Sequence, residues 1–181
     1  RQSRHNRAII APWHDSERVV TVNAHQLRDI IEEGENDRIE FKRCGNQPEK
    51  DLFETICAFA NTFGGTILLG VEDDGSLTGI DPAQVLPVTR NVLNVVNNSN
   101  AFDVPVSMEF EHIEIGDRQI IKIDVPNSPQ MHSYKGKVYE RRGDADVVVR
   151  GSAPLAGLCI RKQGIYTCLL YTSPSPRDMR R

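Results

Sequence analysis

The sequence has no apolar run near the ~20 residues that a membrane-spanning helix needs, and no charged-then-apolar leader opens it. Neither membrane insertion nor secretion is therefore indicated. The four cysteines, Cys44, Cys57, Cys159 and Cys168, lie far apart and form no CxxC pair. That excludes a zinc ribbon, argues against a disulfide framework, and reads as reduced thiols in a cytoplasmic protein. Basic charge is not in excess, with 22 Lys and Arg against 25 Asp and Glu. The simplest signature of nucleic-acid binding, a strongly basic domain, is thus missing. No GxxxxGK[ST] phosphate loop occurs, and no Ser, Cys and His pattern marks a nucleophilic triad. The histidines (His5, His14, His25, His112, His132) fall at no metal-ligand spacing. What the chain has is 39% hydrophobic and 26% charged residues over 181 positions, the composition of one folded domain of ordinary size.

The two ends read differently from the middle. The chain starts on Arg1 rather than Met, as a fragment would. Residues 1–22 show no periodicity and are expected to form a mobile N-terminal arm. Residues 164–181, GIYTCLLYTSPSPRDMRR, follow neither helical nor strand period, and Cys168 to Asp178 resembles the translation of a sequencing adaptor. This stretch is set apart as a non-native tail, with a disordered native tail as the alternative. Without it the chain carries 19 basic and 24 acidic residues, a net charge of −5. Residues 152–163 read as the start of a C-terminal extension, leaving 23–151 as the domain.

Within that domain about three helices and five or six short strands are expected, in one α/β (α+β) unit with a mixed sheet. Leu27, Ile30 and Ile31 give a first helix an apolar stripe, with Asn23 as its cap and Gly34 as its stop. Arg38 to Arg43 alternates as a half-buried strand, Ile39 and Phe41 on one side, Glu40 and Lys42 on the other. A second helix starts at Asn46-Gln47-Pro48 and runs to Asn61. Thr66 to Val71 is nearly all apolar, as in a central strand covered on both faces. Asp74-Gly75 turns toward a short return strand at Leu77 to Gly79, and a third helix spans Pro82 to Asn97. Val104 to Ile115 and Gln119 to Val125 form a hairpin around Gly116-Asp117, with a bulge expected where alternation slips at His112-Ile113. Lys137 to Arg142 closes the set as a last strand.

Three features carry chemistry. Glu35 and Glu40, at the entry to the first strand and within it, and Asp73, after the apolar strand, would converge if those two strands are neighbours. Three carboxylates in one place need protons or a cation, and an all-oxygen set suits magnesium or manganese. The plainer alternative is a turn aspartate and a solvated helix exit. Gly64-Gly65 runs from helix to strand, the reverse of a phosphate loop, and reads as a left-handed helix stop. Residues 130–151 hold Lys135, Lys137, Arg141, Arg142 and Arg150 with Tyr134 and Tyr139 between them, five basic residues against three acidic. Such a strand either tracks a nucleic-acid backbone or is a solvated edge that lysine and arginine protect from pairing. His132 is the one histidine near this group.

The segments Glu35-Asn-Asp-Arg-Ile-Glu-Phe-Lys42, Ala58-Phe-Ala-Asn-Thr-Phe-Gly-Gly65, Gly70-Val-Glu-Asp-Asp-Gly75 with Gly79, and Val138-Tyr-Glu-Arg-Arg-Gly143 together resemble the Schlafen AlbA-type domain. The resemblance implies an α/β DNA-binding module, commonly at the N-terminus of longer prokaryotic transcriptional regulators, some of them ATP-binding or helicase-related. Related domains of animal Schlafen proteins cleave transfer and ribosomal RNA with three carboxylates and a divalent metal. Their first two acids correspond to Glu35 and Glu40, and their third to Asp73, with Glu72 beside it. That nuclease is built of two lobes where this chain has one, so a homodimer would supply the second. The leading expectation is binding of DNA or RNA, with phosphate contacts from Lys42, Arg43, Lys135, Lys137, Arg141 and Arg142. A metal-dependent endoribonuclease using Glu35, Glu40 and Asp73 with magnesium or manganese is the runner-up. A nucleotide-sensing or protein-interaction module of a longer regulator comes third. The mechanistic readings rest on one placement: the segment beginning at Ile39 beside the one ending at Val71.

Overall fold

The nearly all-apolar run before Gly70 lies where such a run has to lie, in the middle of a sheet. In the computed structural model, which describes residues 22–171 and their side chains from 27 to 163, strand β2 (Gly65–Leu69) has a neighbour on each side. On one side β1 (Ile39–Lys42) runs parallel to it, Ile39 opposite Thr66 and Lys42 opposite Leu69. On the other, β4 (Arg118–Val125) is antiparallel to it and pairs in turn with β3 (Glu109–Ile115), giving the order β1-β2-β4-β3. Successive side chains of a strand point to opposite faces. Leu68 therefore meets Leu27 of helix α1 (Val22–Glu33), together with Phe41, Ile113 and Ile120, and Val71, beyond the left-handed Gly70, joins the same cluster. Ile67 and Leu69 meet α2 (Leu52–Asn61) and α3 (Pro82–Val96) through Ile56, Phe59, Val88 and Val92.

A two-stranded hairpin, β5 (Tyr139–Arg142) with β6 (Ala145–Val148), lies outside this sheet and packs on α2. Helix α4 (Ser152–Tyr171) completes the chain, so the single mixed α+β domain has four helices and six strands among the described residues. The expected arm falls almost wholly outside the described residues, as do the side chains proposed to cap α1. No helix of the described residues is long and apolar enough to cross a membrane.

Several local expectations are corrected. The second helix starts at Leu52, not at Pro48, which instead bridges Cys44. Its cap residue Asp51 makes no side-chain capping bond and pairs with Lys42 at 3.0 Å. The return strand at 77–79 reduces to a single bridge between Val71 and Leu77. The third strand starts at Glu109 rather than Val104, and there is no bulge at His112: pairing with β4 continues from Glu109 opposite Asp124 to Ile115 opposite Arg118. Alternation slips in the sequence because the two ends of β3 turn apolar side chains to opposite faces, Phe110 toward the α2–α3 cluster and Ile115 toward the α1 cluster. His112 reaches Thr89 of α3 (3.2 Å), while Ile113 packs in the α1 cluster.

The helix-to-strand glycines behave as expected. Gly64 has φ 75° and its N–H donates to Phe59 O at 2.9 Å, closing α2 in a left-handed turn. A Cβ there would stand 2.7 Å from Val125 O, and one on Gly65 would stand 2.8 Å from Arg38 O. The turn is therefore pressed against both neighbouring strands, which fixes the backbone on either side of it.

Candidate nucleic-acid interface

Glu40 and Lys42 alternate onto the face of β1 that looks toward α2. There Glu40 is only 6% exposed, because the β5–β6 hairpin closes over it. Arg141 reaches in from β5 and its Nη2 donates to Glu40 Oε2 at 2.5 Å and to Asn36 O at 2.9 Å. Arg141 Nη1 donates to Asp146 Oδ1 at 3.1 Å, and Asp146 Oδ2 accepts from Thr55 Oγ1 at 2.6 Å. The guanidinium also sits 5.2 Å from the Phe59 ring. Lys42 supplies the other side of Glu40, donating to Oε1 at 2.5 Å. Burial works against the Lys42 ammonium, but the Glu40 and Asp51 carboxylates outweigh it and raise its pKa. A chain of alternating charges thus links β1, β5, β6 and α2. Buried charge is tolerated only when paired in this way.

The segment after the sheet is tied down by α2. Asn61, 2% exposed, donates to His132 O (2.8 Å) and Tyr139 O (2.9 Å), and its Oδ1 accepts from His132 N (2.9 Å). Thr62 Oγ1 accepts from Arg141 N at 2.9 Å, and Glu54 accepts from the Tyr139 hydroxyl at 3.0 Å. From α4, Lys162 (4% exposed) donates to Ala60 O at 2.6 Å, Ser128 O at 2.7 Å and Asn127 Oδ1 at 3.3 Å. Burial pulls its pKa down to about 8, with Cys57 opposing the fall and the Arg161 charge adding to it. Replacing Lys162 by methionine removes the side-chain donor to the Ser128 carbonyl and leaves Ala60 O with the Ser128 N–H alone. Thermal unfolding should then show a midpoint several degrees lower, for a loss of about 1–3 kcal/mol. An unchanged midpoint would mean that α4 docks without this contact.

On that frame the remaining cations face outward. Tyr134 and Lys137 exchange backbone hydrogen bonds around Lys135 (φ 49°) and Gly136 (φ 72°), a two-residue turn with both central residues left-handed. Lys135 is the one non-glycine residue with positive φ among the described residues, and its Nζ lies 5.0 Å from the Tyr134 ring. Lys137 is exposed beside it, and Arg142 is 62% exposed, 3.3 Å from Glu140. Arg43, 63% exposed, stands 3.5 Å from Glu72, a second contact between the ends of β1 and β2.

A family model described as Schlafen, AlbA_2 matches residues 35–150, well over half of the chain and all of the elements just described except α1 and α4. The chain belongs to this family. No curated protein matches it. Among solved structures, the chain is similar to the DIP2311 protein of Corynebacterium diphtheriae, at 18% identity and a TM-score of 0.49 over 70% of this chain. It spans 29% of the length of that protein. It is also similar to the N-terminal domain of an ATP-dependent DNA helicase RecG-related protein of Nitrosomonas europaea, at 25% identity and a TM-score of 0.45 over 70% of this chain and 94% of that one. Membership of the AlbA_2 family links the chain to nucleic-acid-related function.

In this AlbA_2 domain the residues singled out from the sequence separate into two groups. The acids lie near one another, but the two glutamates are already engaged. Glu35 Oε1 accepts from Phe41 N at 2.9 Å and so covers the open edge of β1. Partial burial raises its pKa, Phe41 N–H opposes, and the charges of Glu40 and Asp73 add to the rise. Both Glu40 oxygens are held by cations, while Asp73 is exposed. Among the described residues no three His, Cys, Asp or Glu side chains are placed to hold a metal ion, so the set does not fit magnesium or manganese as it stands. Of the basic residues, Arg43, Lys135, Lys137 and Arg142 are exposed. Lys42 is largely withdrawn and Arg141, with its side chain 1% exposed, is a structural cation. Sequence reasoning missed Asp146, Thr55, Asn61 and Lys162. Only the polar Asn61-Thr62 pair closing an apolar helix hinted at such anchoring.

Proposed function

We propose that this AlbA_2 domain binds DNA or RNA by its phosphate backbone, as the N-terminal nucleic-acid-binding module of a longer regulator. Lys135, Lys137 and Arg142 make the main contacts, with Arg43 at the rim. The observation that carries this reading is the turn at 134–137. Holding a lysine rather than glycine or asparagine in the left-handed region costs energy. The surrounding hydrogen bonds nevertheless impose it, and two lysines are presented at a rigid tip. Phosphate contacts of this kind give affinity with little sequence readout. Each contact releases counterions, so binding weakens as salt rises.

Fluorescence anisotropy of a labelled 20-nucleotide strand, and of the matching duplex, tests the proposal. With three or four phosphates neutralised, affinity should fall about twentyfold to a hundredfold between 50 and 200 mM salt. No binding at 50 mM salt, or binding indifferent to salt, would contradict it.

A further inference from the structure

The end of α2 carries a feature the phosphate contacts do not use. Phe63 is 60% exposed, although it directly precedes the pinned Gly64-Gly65 turn. A phenylalanine left in water loses the stabilisation that burial gives. Here it stands beside a charged side chain. The Arg38 guanidinium lies 5.5 Å from the ring centroid, and Arg38 is itself held by its backbone N–H donating to Asn36 Oδ1 at 2.7 Å. The pair forms one wall of an open cavity of about 690 Å³, which Ile30, Glu33, Met108 and Glu109 also line. That volume lies within the range of small-ligand sites.

We propose that this cavity receives an unpaired base of a single-stranded nucleic acid, stacked on Phe63. The inference rests on the nucleic-acid-binding reading above and names its substrate as single strand. Three observations converge on it. An exposed aromatic ring with an arginine beside it is a stacking platform for any base, and stacking does not depend on sequence. The carboxylates of Glu33 and Glu109 on the rim accept hydrogen bonds from exocyclic amino groups, and their charge turns phosphates away. The phosphates have their own partner close by. Arg141 N–H donates to Oγ1 of Thr62, the residue before Phe63, so the backbone of β5 passes next to the platform's base, and the exposed Arg142 follows on that strand. A strand lying along β5 would place its backbone on Arg142 and a base on Phe63. A duplex, with its bases paired and stacked, has none to offer.

The test compares the native chain with Phe63→Ala and Phe63→Trp. It uses a labelled mixed-sequence 12-nucleotide strand and its duplex at 50 mM salt. Phe63→Ala should weaken binding of the single strand about tenfold and change duplex binding less than twofold. Phe63→Trp should bind the single strand as the native chain does, with its added tryptophan emission quenched as the strand is titrated in. Thermal unfolding midpoints of both variants should match the native one, since the ring is exposed. Native affinity for the single strand in Phe63→Ala would overturn the inference and leave Phe63 as a contact for a protein segment. An equal loss on duplex and single strand would also overturn it. If the native chain binds neither probe, the nucleic-acid reading itself fails, a result distinct from both.

Discussion

Substituting Arg141 by methionine should destabilise the domain by about 3–5 kcal/mol, with a fall of about 10 °C in the unfolding midpoint. The side chain is 1% exposed and is the cation between Glu40 and Asp146, whose side chains are only 8% and 14% exposed. Methionine fills much of the volume but leaves two carboxylates inside with too little positive charge. Lys42 still reaches Glu40, but Asp146 keeps only the Thr55 hydroxyl. Arg141→Lys should rescue little, because a point charge cannot reach Glu40, Asp146 and Asn36 O together as the planar guanidinium does. Combining Arg141→Met with Glu40→Gln should recover part of the loss, since one of the stranded charges is then gone. Denaturant unfolding measures all of these. A loss below 1 kcal/mol for Arg141→Met would show that this buried network does not hold the hairpin to the sheet.

The neighbouring arginine should behave in the opposite way. Reversing Lys135, Lys137 and Arg142 to glutamate should leave the unfolding midpoint within about 2 °C of native, since surface changes away from buried contacts cost little. All three are exposed, and the one ion pair lost is the 3.3 Å contact of Arg142 with Glu140. Affinity for a 20-nucleotide strand at 50 mM salt should fall a hundredfold or more. The slope of log affinity against log salt should become shallower by about 2–3, close to one for each contact removed. Arg118→Glu, an equally exposed reversal at the turn between β3 and β4, should change affinity less than threefold. A triple variant that binds as native, with an unchanged salt slope, would move the interface elsewhere on the molecule.

Arg141 and Arg142 also show where sequence reading ended. The strands were legible because periodicity is local: Ile39 and Phe41 alternate, and the run at Ile67 to Leu69 has no polar face. That they lie side by side followed from treating that apolar run as central, while their parallel sense came only with the fold. Period two in Tyr139-Glu140-Arg141-Arg142 also places Arg141 on the side of Tyr139, inside. What periodicity cannot supply is the partner that makes an inward arginine stable, since Glu40 lies 101 residues earlier in the chain. Glu40 likewise read as the solvated side of a half-buried strand, because its cover, β5 and β6, is remote in sequence. The late start of α2 has a similar cause: Asp51 is spent on Lys42 instead of capping the helix. Helix α4 was hidden differently. Its first turns run into a stretch of foreign-looking composition, and its anchor is a lysine that sequence alone places in water.

The central claim is that nucleic acid lies along the hairpin anchored on α2. Amide hydrogen exchange of the native chain, with and without a saturating 20-nucleotide strand at 50 mM salt, tests it directly. The account predicts slower exchange at Tyr134 to Lys137, Tyr139 to Arg142 and Thr62 to Gly65, with α3 unchanged. Protection confined to α3 or to the β3–β4 turn, with 134–142 exchanging as in the free chain, would contradict it.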